Sequence, residues 1–197
     1  MTTTATLTPR EVAELSGAPK RLVEKAIEEH VLQVRSRASG ITGHPRRMLP
    51  THAVAYAALM AKLDLKLGTA HKKRLLDGLA HLKSDQIRTA RVEVAPAVEI
   101  DVGRLVGDVM ERAERYCASR DAWIAVDEAI KGGTPVIRGT RMTVYSVLGR
   151  VDHGDTIEDI LDDNPDLSRE AIEAAITYAR THPFVGRPGG RPWVRGV

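Results

Sequence analysis

Seven histidines and one cysteine are the side chains of this 197-residue chain best suited to hold a metal or to act as a nucleophile. Their spacing supports neither role. His30, His44, His52, His71, His81, His153 and His182 are scattered, and none stands at metal-ligand spacing from another His or Cys. The lone Cys117 has no partner in the chain for a disulfide or a cysteine-rich zinc site. No Gly-x-Ser-x-Gly elbow or kinase signature occurs. The glycine-containing stretch Gly133 to Arg141 lacks the Gly-Lys-Ser/Thr ending of a phosphate loop and the spacing of a dinucleotide fingerprint. The acids Asp152, Asp155, Asp162 and Asp163 read as helix-capping and solubility features. No catalytic residue, metal ligand or cofactor is expected, and the chain does not read as an enzyme.

The chemistry that remains is ionic recognition, and its sign changes along the chain. Residues 1–91 carry sixteen Lys or Arg against eight Asp or Glu, a balance of +8. Residues 152–173 carry one base against nine acids, a balance of −8. A basic segment attracts polyanions through counterion release, whereas an acidic one repels them. Two kinds of partner are implied, nucleic acid for the first half and protein for the second.

The elements that must present the first set of charges can be read locally. Thr8-Pro9-Arg10-Glu11 is a helix start, with Thr8 as cap, Pro9 at the first helical position and Glu11 closing a capping box. Ser16-Gly17-Ala18 interrupts the pattern. Pro19 then opens a second helix with Leu22, Val23, Ala26 and Ile27 on one face. Two short helices joined by a glycine turn form a helix-turn-helix, and Lys20, Arg21 and Lys25 lie on the helix that would enter a major groove. Alternation over residues 31–37 and a returning Arg46-Arg47-Met48-Leu49 predict a hairpin wing, with Arg35, Arg37, Arg46 and Arg47 on its strands. Helices are expected from about Thr51 to Leu65 and from about Thr69 to Leu82. Over residues 5–85 this element order resembles the MerR-type winged-helix domain. The bland alternative is an ordinary solvated surface, since most charges on small helices do no more than that.

Residues 91–101 alternate apolar and charged side chains around Pro96, which suggests a single edge strand. One long amphipathic helix is expected after it, with Val102, Leu105, Val106, Val109, Met110, Ala113, Tyr116 and Cys117 on its stripe. That stripe could pack on its own chain or form a homodimer contact.

Further on, Gly133-Thr134-Pro135-Val136-Ile137-Arg138-Gly139-Thr140-Arg141 is followed by Val144, Gly154, Ile160-Leu161, Pro165, Leu167, Ala174-Ala175 and Tyr178-Ala179. Caps at Thr143, at Asp155 or Thr156, and at Ser168 predict three short helices. Over residues 123–180 this text strongly resembles the domain-of-unknown-function family 433. That resemblance implies a small trihelical module of the kind found in VapB-like antitoxins, which pair with a toxin of PIN-type ribonuclease fold. Longer members of that family also carry an N-terminal winged helix-turn-helix. The nine acids between Asp152 and Glu173 argue that this module meets protein rather than DNA.

The end of the chain, residues 183–197, is built of Pro, Gly and Arg and is expected to be a flexible tail. Phe184 and Trp193 are two of only seven aromatic residues in the chain. With Arg187, Arg191 and Arg195 they are the candidate toxin contacts, since an arginine segment suits the acidic metal-binding cleft of a PIN-type nuclease.

The sequence therefore predicts a mainly α protein in four parts. Residues 1–90 form a winged helix-turn-helix DNA-binding domain, and 91–121 a strand and amphipathic helix. Residues 122–182 form an acidic trihelical domain, and 183–197 the tail. The expected function is that of a cytoplasmic type II antitoxin, a homodimer that neutralises a PIN-type ribonuclease toxin and represses its own operon by binding operator DNA. The alternative is a free-standing winged-helix regulator without a toxin. No membrane contact is expected, because no apolar run approaches the roughly 18 residues a spanning helix needs.

Overall fold

A computed structural model describes residues 6–37, 46–63 and 65–183. The chain divides into two compact units, Met1–Ala122 and Trp123–Val197. Among the described residues both are mainly helical with small antiparallel sheets.

The first unit opens with β1 (Thr6–Leu7), α1 (Pro9–Ser16) and α2 (Lys20–Glu28). The predicted capping box is present, with the Glu11 N–H donating to Thr8 Oγ1 at 3.2 Å and the Thr8 N–H to Glu11 Oε2 at 2.6 Å. α1 ends at Gly17, whose φ of +67° is a left-handed conformation that glycine adopts without steric cost. The chain can thus reverse within three residues and start α2.

The wing strands β2 (Arg35–Arg37) and β3 (Arg46–Pro50) pair antiparallel, and β1 pairs with the other edge of β3, giving the order β1-β3-β2. Leu7 faces Leu49, and both are fully buried. The sheet edge is thereby pinned to the helical core. The intervening residues 38–45 lie outside those described.

Next come α3 (His52–Lys62) and α4 (Thr69–Ala80). Every residue from Ala53 to Leu59 is buried. A helix apolar on all sides belongs at the centre of a core, and α3 packs against α1, α2 and α4. Its alanines let those neighbours approach closely.

The middle segment departs from expectation twice. Instead of one edge strand there is a hairpin, β4 (Arg91–Ala95) and β5 (Val98–Asp101), turning at Pro96 and Ala97. Pro96 lacks an N–H to extend the ladder, and Ala97 takes a φ of +62°. The expected long helix is split in two. After a short helix α5 (Ser84–Ile87), α6 (Val102–Val106) and α7 (Val109–Trp123) are separated at Gly107-Asp108. α6 lies so close to the backbone after α5 that a Cβ on Gly103 would sit 1.9 Å from the Arg88 carbonyl oxygen. The stripe Val102, Val106, Val109, Met110, Ala113, Tyr116 and Cys117 is buried in the same core as α1 to α4. Residues 91–121 are therefore part of the first unit rather than a separate segment, because their apolar face is covered by their own chain.

The second unit contains β6 (Ile124–Ala125), a 3₁₀ turn at Lys131–Gly133, β7 (Val136–Ile137), and helices α8 (Val144–Asp152), α9 (Ile157–Asp163) and α10 (Arg169–Thr181). Thr143, Thr156 and Ser168 cap the three helices through their side chains. Ile137, Val144, Val147, Ile160 and Ile172 form a fully buried core that α10 crosses.

Candidate nucleic-acid interface

α2 buries Val23 and Ala26 and turns Lys20, Arg21 and Lys25 to solvent. Lys20 and Lys25 keep 53% and 67% of their side-chain surface exposed. Beside α2, the wing strands expose Arg35, Arg46 and Arg47. Register places Arg37 opposite Arg46 and Ser36 opposite Arg47. The structure thus assembles the bases of α2 and of the wing strands on one unit, with α2 and β3 joined directly by an ion pair.

That joint is Glu24, whose pairing with Arg47 no local sequence signal indicates. Its Oε2 accepts from Arg47 Nη2 at 2.9 Å, and its Oε1 lies 3.6 Å from Lys20 Nζ. A second carboxylate, Glu29, plays a similar part at the other end of α2. It accepts from Lys72 of α4 at 2.6 Å and lies 3.8 Å from Lys25. The Lys72 hydrogen bond and the nearby Lys72 and Lys25 charges hold the Glu29 carboxyl below its ordinary pKa. The pairs Lys20/Glu24 and Lys25/Glu29 were legible as helical i,i+4 spacings. The cross-element pairs span 23 and 43 residues and carried no local signal.

A third carboxylate fixes the angle at which α1 is held. Glu11 is 1% exposed and accepts from Tyr116 Oη at 2.8 Å and from Arg120 Nη1 at 3.0 Å, both on α7. Arg120 also donates to the Thr6 carbonyl at 3.1 Å, and its guanidinium lies over the Tyr116 ring. Burial works against the Arg120 charge. The adjacent Glu11 carboxylate more than offsets that and leaves the Arg120 pKa above its ordinary value.

The second unit presents the opposite sign. Glu158, Asp159, Asp162, Asp163, Asp166, Glu170 and Glu173 are exposed on α9, α10 and the loop between them. Two arginines are drawn into this surface. Arg150 bonds Asp155 and Asp163, and Arg169 bonds Glu158. An open cleft of about 550 Å³ lies beside it, lined by residues including Arg141, Met142, Ser146, Asn164 and Leu167. The five candidate toxin contacts, Phe184, Arg187, Arg191, Trp193 and Arg195, lie outside the described residues, as does the predicted flexible tail beyond Pro183. Among the described residues no group of three or more His, Cys, Asp or Glu is placed to hold a metal ion, and no helix is long and apolar enough to cross a membrane.

Residues 124–179 match the family described as "Protein of unknown function (DUF433)". The match lies wholly within the second unit. The chain is also 29% identical over 191 residues to an uncharacterized protein, y4eO, of Sinorhizobium fredii (strain NBRC 101917 / NGR234). That alignment covers 90% of this chain and 81% of the relative, so the similarity extends through both units. No solved structure matches the chain.

Proposed function

We propose that this protein is a DNA-binding antitoxin: the first unit binds operator DNA, and the second unit, with residues 183–197, holds a PIN-type ribonuclease toxin. One observation carries the DNA half. Lys20, Arg21 and Lys25 stand exposed on the second helix of a helix-turn-helix, and a hairpin bearing Arg35, Arg46 and Arg47 is tied to that helix through Glu24. In such a unit the second helix enters the major groove while flanking strands meet the backbone. The resemblance of residues 123–180 to antitoxin modules supports the toxin half, together with an acidic surface unsuited to phosphate. Arg187, Arg191 and Arg195 would compete for the acidic cleft of the nuclease, with Phe184 and Trp193 as apolar anchors. Palindromic operators would call for a homodimer acting in the cytoplasm.

The test has two arms. Duplex binding is measured across salt concentrations, and a logarithmic slope near −4 is expected for roughly four to five phosphate contacts. The full chain is also co-expressed with the product of the adjacent gene, and both complex formation and loss of ribonuclease activity are scored. Duplex binding with no complex and no silencing would leave a free-standing regulator. Absence of salt-dependent duplex binding would remove the DNA half.

A further inference from the structure

We propose that Glu24 is the specificity-determining residue of the DNA interface, and that it reads the exocyclic amino group of a cytosine in the major groove. The inference rests on the DNA-binding reading above and goes beyond it in naming what is recognised.

A surface built only to grip phosphate has no use for a carboxylate within it, because the like charge opposes every duplex equally. Yet Glu24 lies half-buried on the flank of the solvent-facing side of α2, beside Lys20 and Lys25, and is the only acid in the first two turns of that helix. It is also held in place. Arg47 engages one carboxylate oxygen from the wing and Lys20 approaches the other from the preceding turn, leaving the side chain 25% exposed. A carboxylate offers about four lone-pair sites, so two cationic neighbours orient it and still leave room for another donor.

The bases then choose among themselves. In the major groove guanine presents only acceptors and thymine an acceptor and a methyl group, both of which a carboxylate repels or ignores. Adenine has an amino group, but the adjacent N7 acceptor faces the second carboxylate oxygen. Cytosine offers the N4 amino group with only its C5–H beside it on the same base, and it is the base a carboxylate accepts from best. Glu29 is not an equivalent candidate. It lies just past the last residue of α2, and its bond to Lys72 ties that end of the helix to α4.

The experiment is selection from a randomised duplex library with the full chain, comparing wild type, Glu24→Gln and Glu28→Gln. Glu28 is an exposed acid farther along the same helix, so the second variant removes the same charge without touching the Arg47 bond. Thermal melts establish that each variant is folded. In the wild type a C·G pair is expected at one fixed position of the selected site, preferred about tenfold or more over other pairs. Glu24→Gln is expected to lose that preference at that position alone, while binding random duplex several-fold more tightly. Glu28→Gln is expected to bind random duplex more tightly and to keep the preference. A Glu24→Gln variant that selects the same sites as wild type overturns the assignment and leaves DNA binding standing. A wild type that binds no duplex overturns both.

Discussion

In the first unit a carboxylate and a guanidinium meet in the interior, Glu11 with Arg120 at 3.0 Å, whereas in the second unit Arg150 and Arg169 meet their partners at the surface. A buried pair must be complete, because removing one member strands an uncompensated charge. A surface pair is screened and replaceable. The first unit therefore has a fixed internal geometry between α1 and α7. The second has a small apolar core under an acidic coat whose individual charges are dispensable to the fold.

The sharpest way to break this contrast is Arg120→Ala. It leaves Glu11 buried beside Tyr116, and a loss of about 3–5 kcal/mol is expected in denaturant unfolding of the full chain. A loss under about 1 kcal/mol would mean that the buried pair does not organise the unit.

A pair of glycine substitutions comes next. Gly103→Ala drives a Cβ against the Arg88 backbone and is expected to cost about 3 kcal/mol. Gly149→Ala, within α8, meets nothing within 4 Å and should stabilise the second unit by about 0.5–1 kcal/mol. Opposite signs for one chemical change would separate a unit whose backbones are in contact from one with room to spare, and equal signs would erase that distinction.

Cys117 supplies a readout confined to the first unit. Burial raises its thiol from an ordinary value of 9.0 to about 11, with the Arg120 charge only partly opposing this. Because the folded pKa lies above the unfolded one, this contribution to stability is fully present below pH 9 and is lost as pH rises toward 11. A disulfide reagent at pH 8 should accordingly react slowly with the native chain and rapidly after unfolding. Fast labelling of the native protein would show that α7 leaves its site readily.

The smallest effect belongs to Arg169→Ala. Its partner Glu158 is solvent-exposed, and no resolvable change in melting temperature is expected.

Local signals in the sequence were read well where one turn of helix or one tight turn contains the whole cause. The caps at Thr8, Thr143 and Ser168 and the turn at Gly17 are of this kind, and of the two candidates Asp155 and Thr156 it is Thr156 that caps α9. The hairpin at residues 91–101 reads as one strand in the sequence because the left-handed Ala97 follows Pro96, and alanine does not advertise that conformation. The break between α6 and α7 leaves no mark in the sequence because an apolar three-and-four spacing continues across Gly107. The bases of the candidate interface were legible as charges of one sign. Its acids were not, since Glu24 and Glu29 acquire their roles from Arg47 and Lys72, which local spacing cannot supply.

The Glu11–Arg120 contact also sets a clock for synthesis. Its two members are 109 residues apart, so α1 and α2 leave the ribosome well before the cation that neutralises Glu11 has been added. At about 5–20 residues per second that interval is on the order of 5–20 s. During it the helix-turn-helix has its local caps and turn but lacks α7, the element against which α1 is docked. A nascent chain shorter than 120 residues would present α1 and α2 without the contact that aligns α1, and the fixed geometry of the helix-turn-helix would arrive only with the last two turns of α7.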